Sequence, residues 1–138
     1  MNVYVDSSVV LRVILTAPDA LPEWAEIDEY AASVLLRVEC YRTIDRIHVS
    51  GEITTAETSS RQRELESLLR HVNLIDVTPN VLDLASGSFP SPLKTLDAIH
   101  LATAISWRAA EGFPLVFATH DRQLGLAARA TGFRVLGL

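Results

Sequence analysis

The stretch LKTLDAIHLATAI, from Leu93 to Ile105, is the most informative part of the chain for its fold. Pro92 precedes it, and proline excludes a helix there because it lacks an N–H and forces its predecessor to be extended. Thr95 is the expected N-cap of the helix that follows. Nearly every later residue of the stretch is apolar or small, which is typical of a helix buried in the centre of a domain. Asp97 is therefore expected in the first turn of a buried helix, although the helix dipole alone would also favour an acid there.

Length and composition indicate one folded domain over residues 1–138. Hydrophobic residues make up 49% of the chain and charged residues 21%, which excludes a disordered chain. No apolar run approaches the roughly 18 residues that span a bilayer, and no basic flank marks a signal peptide. The single cysteine, Cys40, excludes an intrachain disulfide and a cluster of thiolate zinc ligands. We expect a reducing, cytoplasmic location.

The net charge of −5 argues against a protein that coats nucleic acid, but it does not exclude a nuclease. A nuclease concentrates acids at its metal site and needs only local cations for phosphates. Lys94 is the only lysine, and the remaining eleven basic residues are arginines.

Strand and helix patterns alternate along the chain. Predicted strands cover residues 2–5, 73–77, 115–118 and 133–136. Predicted helices cover residues 7–14, 22–30, 32–49, 55–71, 79–85, 96–111 and 122–130. This order predicts an α/β fold, with a central parallel sheet and helices on both of its faces.

Four acids occupy positions that this fold would bring together. Asp6 and Asp121 directly follow apolar strands, whose carboxyl ends are where ligands bind in open α/β sheets. Asp97 begins the buried helix, and Glu39 borders the apolar face of another helix. Each acid also has a structural explanation: Asp6 and Asp121 as N-caps, and Glu39 as a partner of Arg42. Four converging carboxylates would repel one another unless a divalent cation such as Mg²⁺ or Mn²⁺ neutralised them.

The chain resembles the PIN-domain ribonucleases, specifically the VapC toxins of type II toxin–antitoxin pairs. The resemblance covers essentially the whole chain, and the run from Leu96 to Ala102 is its most specific part. The motifs that carry it are Val3-Tyr4-Val5-Asp6-Ser7-Ser8, Leu36-Arg37-Val38-Glu39, Leu96-Asp97-Ala98-Ile99-His100-Leu101-Ala102 and Thr119-His120-Asp121.

The resemblance implies an endoribonuclease that depends on Mg²⁺ or Mn²⁺, with water attacking phosphorus and the 3′-oxygen leaving. Asp6 and Asp97 would be the principal metal ligands, and Asp121 would lie close by or act through water. Glu39 would complete the acidic quartet and help to position the attacking water. Thr119 would support the site by hydrogen bonding, as would Ser7 or Ser8. We expect His100 to be packed or to act indirectly.

The resemblance also implies partners: an antitoxin covering the acidic pocket, an RNA substrate, and a homodimer or toxin–antitoxin hetero-oligomer. Candidates for phosphate contacts, chosen because they lie near the acids in sequence, are Arg12, Arg37, Arg42, Lys94 and Arg122.

Other functions fit less well. A haloacid-dehalogenase-type phosphatase would have a second acid two residues after Asp6, where Ser8 stands. A response-receiver domain would have a late lysine, and Lys94 is the only one. A PIN-like module that only binds RNA or a partner stays open as the alternative, and metal titration would distinguish it from an enzyme.

Overall fold

The computed structural model describes residues 1–138, in which five parallel strands form one sheet. The strands are β1 (Asn2–Val5), β2 (Glu29–Ser33), β3 (Val72–Ile75), β4 (Val116–Ala118) and β5 (Arg134–Leu136). The α-helices are α1 (Ser7–Ile14), α2 (Leu35–Val49), α3 (Thr55–Leu69), α4 (Pro79–Ala85), α5 (Thr95–Glu111) and α6 (Arg122–Ala130). A short 3₁₀ helix covers Pro22–Glu26. No helix is long and apolar enough to cross a membrane.

The sheet has the strand order β3-β2-β1-β4-β5, with β1 in its centre. Successive residues of β1 point to opposite faces, as the pleat of a strand requires. Val3 and Val5 belong to the core beneath α1, α2 and α3, whereas Tyr4 belongs to the core beneath α5 and α6. The predicted fold class, a parallel sheet covered by helices on both faces, is confirmed.

The sequence prediction was wrong around β2. Residues 22–30 were assigned to a helix and residues 32–49 to another, but the first helix ends at Glu26 and α2 begins at Leu35. Between them, the segment Glu29–Ser33 pairs with β1 on one side and β3 on the other. Ala31 and Ala32 are buried in the two opposite cores, so both faces of this strand are apolar and no alternation marks it.

The ends of α5 match the prediction at one terminus only. Gly112 adopts the left-handed conformation, with φ of 69°, and terminates the helix as expected. Thr95, however, is the first helical residue and not the N-cap, because Lys94 holds the extended N-cap conformation. Neither side chain caps the helix, so backbone N–H groups of its first turn have no side-chain cap.

The carboxyl ends of β1 and β4 lie side by side, and each leads into a helix. From β1 the chain adds β2 and β3 on one side of the sheet and then β4 and β5 on the other side. This is the topological switch point, where open α/β sheets form their ligand crevices.

Candidate active site

Asp6 is a buried carboxylate at the end of the central strand, with only 4% of the residue exposed. Its Oδ1 accepts hydrogen bonds from the Ser8 hydroxyl at 2.6 Å and from the backbone N–H of Val9 at 3.2 Å. Its Oδ2 accepts a hydrogen bond from the Thr119 hydroxyl at 2.7 Å. Burial raises the pKa of Asp6, and the hydrogen bonds from Ser8 and Thr119 oppose that rise. The contact with Val9 makes Asp6 the N-cap of α1 as well.

Thr119 connects the two neighbouring strand ends. Besides donating to Asp6, its Oγ1 accepts a hydrogen bond from the backbone N–H of Asp121 at 2.9 Å. Asp121 in turn caps α6, because its Oδ1 accepts from the backbone N–H of Leu124 at 2.8 Å. The structural explanation that the sequence allowed for Asp6 and Asp121 is therefore present, and it places both carboxyl groups at the same edge of the sheet.

Asp97 lies in the first turn of α5, partly exposed and without a hydrogen-bond partner. Its pKa is raised first by burial, then by the negative charges of Asp121 and Asp6, with a smaller contribution from Glu39. Charges act on one another this way only at short range in a protein at ordinary ionic strength. The four acids predicted from sequence therefore share one electrostatic environment.

Glu39 makes different contacts from those that the sequence suggested. Arg42 pairs with Asp45 at 3.1 Å instead of with Glu39. The Oε1 of Glu39 contacts the Nε2 of His100 at 2.5 Å, and its Oε2 accepts from the Ser7 hydroxyl at 3.3 Å. The carboxylate thus faces the centre of the molecule, and its side chain is 19% exposed.

His100 is buried in α5, one turn after Asp97, and lies at the border of the cluster. Burial alone would lower its pKa, but the hydrogen bond to Glu39 and the charges of Glu39, Asp6 and Asp97 outweigh that effect and raise it. Its Nδ1 contacts the hydroxyl of Tyr4 at 3.0 Å. Sequence reasoning placed His100 among packed or indirectly acting residues but did not identify Tyr4. No sequence pattern ties a strand tyrosine to a histidine 96 residues later.

Similarity to known proteins identifies the family of this chain. The sequence model of the PIN domain matches residues 3–130. The chain belongs to the PIN domain family. It is 34% identical to Ribonuclease VapC46 of Mycobacterium tuberculosis, over 97% of this chain and 95% of that protein. The expected resemblance to the VapC group is thereby confirmed.

Solved structures show the same PIN fold. A toxin–antitoxin complex from Klebsiella pneumoniae contains a chain that matches with a TM-score of 0.64 and 18% identity, over 89% of each chain. VapBC2 from Rickettsia felis, bound to a DNA fragment from the promoter, matches with a TM-score of 0.65 and 14% identity. That match covers 98% of this PIN domain and 97% of the other chain.

The acids of this PIN domain suit a divalent cation by their chemistry but are not arranged as a finished set of ligands. Carboxylate oxygens are what Mg²⁺ and Mn²⁺ prefer. Yet no three His, Cys, Asp or Glu side chains lie together closely enough to hold an ion. The oxygens of Asp6 are hydrogen-bonded to Ser8 and Thr119, and one oxygen of Asp121 caps α6. The buried charge of Asp6 and the raised pKa of Asp97 are nonetheless what a nearby cation would relieve, so the residues fit such an ion in kind and in charge.

The predicted phosphate-contacting residues divide into two groups. Arg12, Arg37 and Arg42 each form an ion pair with an acid of the same surface, namely Asp19, Glu66 and Asp45. Lys94 and Arg122 form no ion pair, and both lie beside acids of the cluster: Lys94 at the start of α5, Arg122 directly after Asp121. These two cations are the ones available to a phosphate without breaking an existing pair.

Proposed function

We propose that this PIN domain is a metal-dependent endoribonuclease and the toxin of a toxin–antitoxin pair. The observation that carries the proposal is the buried carboxylate of Asp6. Ser8 and Thr119 hold it in place by hydrogen bonds, and its charge adds to the effect of burial in raising the pKa of Asp97. An uncompensated cluster of this kind costs stability, and a divalent cation offsets that cost. The 34% identical relative named a ribonuclease supports the same activity.

In this proposal Asp6 and Asp97 hold Mg²⁺ or Mn²⁺, and Asp121 and Glu39 complete the acidic quartet directly or through water. Such an ion lowers the pKa of bound water and stabilises charge on the phosphate during hydrolysis. Thr119 keeps the Asp6 carboxylate oriented and prevents Asp121 from moving away, through its two hydrogen bonds. Glu39 accepts a hydrogen bond from the attacking water. The water oxygen attacks phosphorus and gives up one proton to solvent, the bond to the 3′-oxygen breaks, and the 3′-oxygen takes up one proton from solvent.

We further propose an antitoxin protein as partner, which covers the acidic edge of the sheet and silences the enzyme, and assembly as a homodimer or hetero-oligomer. One structural relative, from Klebsiella pneumoniae, is a toxin–antitoxin complex by name, which supports a partner of this kind. The negative charge of the cluster suits a basic residue of such a partner.

A PIN-like module without catalysis is the second candidate, and one observation favours it: no three acids are close enough to bind an ion. The two functions differ in metal affinity. An inert module would give no heat of Mg²⁺ or Mn²⁺ binding in calorimetry, whereas the enzyme would give binding that Asp97→Asn abolishes.

The test is cleavage of total RNA by the purified chain without antitoxin, with Mg²⁺ and with EDTA. Asp97→Asn should lose cleavage, by about 100-fold or more, because it removes a charge that the metal and the transition state both need. Asp28→Asn is the matched control, since Asp28 precedes β2 at the opposite edge of the sheet. Cleavage that persists in EDTA or in Asp97→Asn would contradict the proposal.

A further inference from the structure

A continuous chain of buried hydrogen bonds leads from the backbone of β2 to Glu39. The N–H of Ser33 donates to the hydroxyl oxygen of Tyr4 at 3.0 Å. The same oxygen contacts Nδ1 of His100 at 3.0 Å, and Nε2 of His100 contacts Oε1 of Glu39 at 2.5 Å. Tyr4 is 0% and His100 is 1% exposed, so water does not compete for the contact between them, whereas Glu39 is partly exposed.

We propose that Tyr4 and His100 are positioning residues, which fix the Glu39 carboxylate in the orientation that hydrolysis requires. Neither residue would touch the substrate; each would act through Glu39. The inference rests on the proposed function, because only there does Glu39 have a role in hydrolysis.

Packing alone does not explain why a histidine occupies position 100. Its neighbours in α5, Leu101 and Ala102, are fully buried, and an apolar side chain would fill the same space without requiring partners. A buried imidazole is tolerated only when both of its nitrogens are satisfied, and here Tyr4 and Glu39 satisfy them. Position 100 therefore carries a buried polar group, His100, and the partner of its Nε2 atom is Glu39, an acid of the cluster.

Glu39 gains a defined orientation from two anchors. A glutamate side chain loses considerable rotamer freedom when it is fixed, so it does not hold one geometry unaided. His100 contacts one of its oxygens and Ser7 the other. Each carboxylate oxygen accepts about two hydrogen bonds, so each keeps one acceptor position for water or a cation.

The anchor works in either charge state of the imidazole. In neutral His100, Nδ1 accepts from the Tyr4 hydroxyl and Nε2–H donates to Glu39. In protonated His100, Nδ1–H donates to the Tyr4 oxygen and Nε2–H still donates to Glu39. Both arrangements place the same N–H on the same carboxylate oxygen, so the positioning is independent of titration.

The experiment compares three substitutions with one matched control. Tyr4→Phe removes the hydroxyl but keeps the ring that stacks on Phe117, with a centroid separation of 5.1 Å. His100→Leu removes both nitrogens, and His100→Gln restores a donor for Glu39. The control is Tyr30→Phe in the adjacent strand, which removes a hydroxyl bonded to the Trp24 carbonyl oxygen at 2.9 Å, outside the network.

We expect kcat for RNA cleavage to fall about 10- to 100-fold in Tyr4→Phe and His100→Leu, the usual effect of losing a partner that orients a metal-site side chain. KM should stay unchanged, His100→Gln should recover most of the loss, and Tyr30→Phe should behave as the unmodified protein. Unchanged kcat in both Tyr4→Phe and His100→Leu would overturn the inference, as would a rise in KM alone.

Nuclear magnetic resonance of ¹⁵N-labelled histidine supplies a readout that needs no activity. The Nε2–H proton of His100 should resonate far downfield and be protected from exchange, and this resonance should shift in Tyr4→Phe and in Glu39→Gln but not in Tyr30→Phe. A protein that shows this pattern but cuts no RNA contradicts the proposed function only. An Nε2–H that does not respond to Glu39→Gln contradicts the positioning itself.

Discussion

Asp6 and Asp121 each perform two tasks with one carboxyl group. Each accepts a hydrogen bond from the backbone N–H three residues later, which caps a helix, and each contributes negative charge to the cluster at the edge of the sheet. The two tasks are compatible because a strand that passes directly into a helix places its cap residue at the carboxyl edge. Capping and ligand binding therefore do not compete as explanations for these acids.

Thr119→Val tests the link between the two strand ends. Valine has the shape of threonine but removes a donor to Asp6 and the acceptor for the N–H of Asp121. We expect the free energy of unfolding to fall by about 1–3 kcal/mol, the usual result of leaving buried polar groups unsatisfied. RNA cleavage should fall as well, because Asp6 loses its orientation.

Thr58→Val is the control for that change, measured by the same urea unfolding. Thr58 is also buried, but its hydroxyl donates to the Thr54 carbonyl oxygen, which already accepts from the N–H of Thr58. Thr58→Val should lower the free energy of unfolding by less than Thr119→Val does and should leave RNA cleavage unchanged. Equal losses for the two variants would show that Thr119 has no special role.

At the scale of elements, a strand could be predicted from the sequence where apolar residues give way to polar ones. The segment of β1, Asn2–Val5, is apolar from Val3 onward and is followed directly by Asp6, so strand, acid and helix were all predicted. The strand β2 offers no such contrast, since Ala31 and Ala32 are small, good helix formers, and buried on opposite faces. Only its pairing with β1 and β3 makes it a strand, and that information is not local.

The candidate site shows the same limit. Asp6, Asp97 and Asp121 were predicted because each stands beside a strand end or a helix start. Glu39 was predicted because it borders the apolar face of its helix, and Thr119 from the resemblance to the family. The contact between Glu39 and His100 was not foreseen, because it joins α2 to α5 across 61 residues. The sequence instead suggested Arg42, a neighbour on the same helix, and local spacing cannot weigh a partner from another element.

The helix α3 contributes to the core but none of the predicted site residues, and its N-terminus tests whether stability and activity separate. Thr54 and Glu57 form a reciprocal capping box, with the N–H of Glu57 donating to the Thr54 hydroxyl oxygen at 3.1 Å. We expect Thr54→Ala to lower the free energy of unfolding by about 0.5–2 kcal/mol. Cleavage measured well below the melting temperature should not change.

Ser59→Ala, an exposed substitution in the interior of α3, is the comparison for thermal melting. It should leave the melting temperature unchanged or raise it slightly, since alanine is the better helix former. A loss of activity in Thr54→Ala at a temperature where it remains folded would show that α3 influences the acids after all.

For the molecule as a whole, the acidic cluster makes stability depend on pH. The pKa values of Asp6 and Asp97 are raised above 3.8, so the folded state binds protons at these groups more tightly than the unfolded state does. Stability therefore falls as pH rises from 3.8 through the raised pKa values. His100, whose pKa is raised above 6.5, contributes stability that is present below 6.5 and is lost as pH rises through its folded pKa.

All three groups act in the same direction, so in EDTA the melting temperature should fall as the pH rises from 3.8 to above 6.5. Asp97→Asn should reduce this fall in melting temperature. At the highest pH of the series it should melt at a higher temperature than the unmodified protein. Saturating Mn²⁺ or Mg²⁺ should stabilise only the chain with Asp97, by about 2.7 kcal/mol at a hundred times the dissociation constant. Equal stabilisation of Asp97→Asn would show that the ion binds elsewhere.

The central position of β1 has a consequence for how the protein is made. The ribosome synthesises β1 more than a hundred residues before β4, the strand that pairs with it. Bringing β1 and β4 together closes a long loop of chain, which is entropically costly. The pairing cannot begin before β4 exists. Asp6 therefore cannot meet Thr119 before β4 has been synthesised. If the chain is the ribonuclease that we propose, its active site cannot assemble before that point of translation.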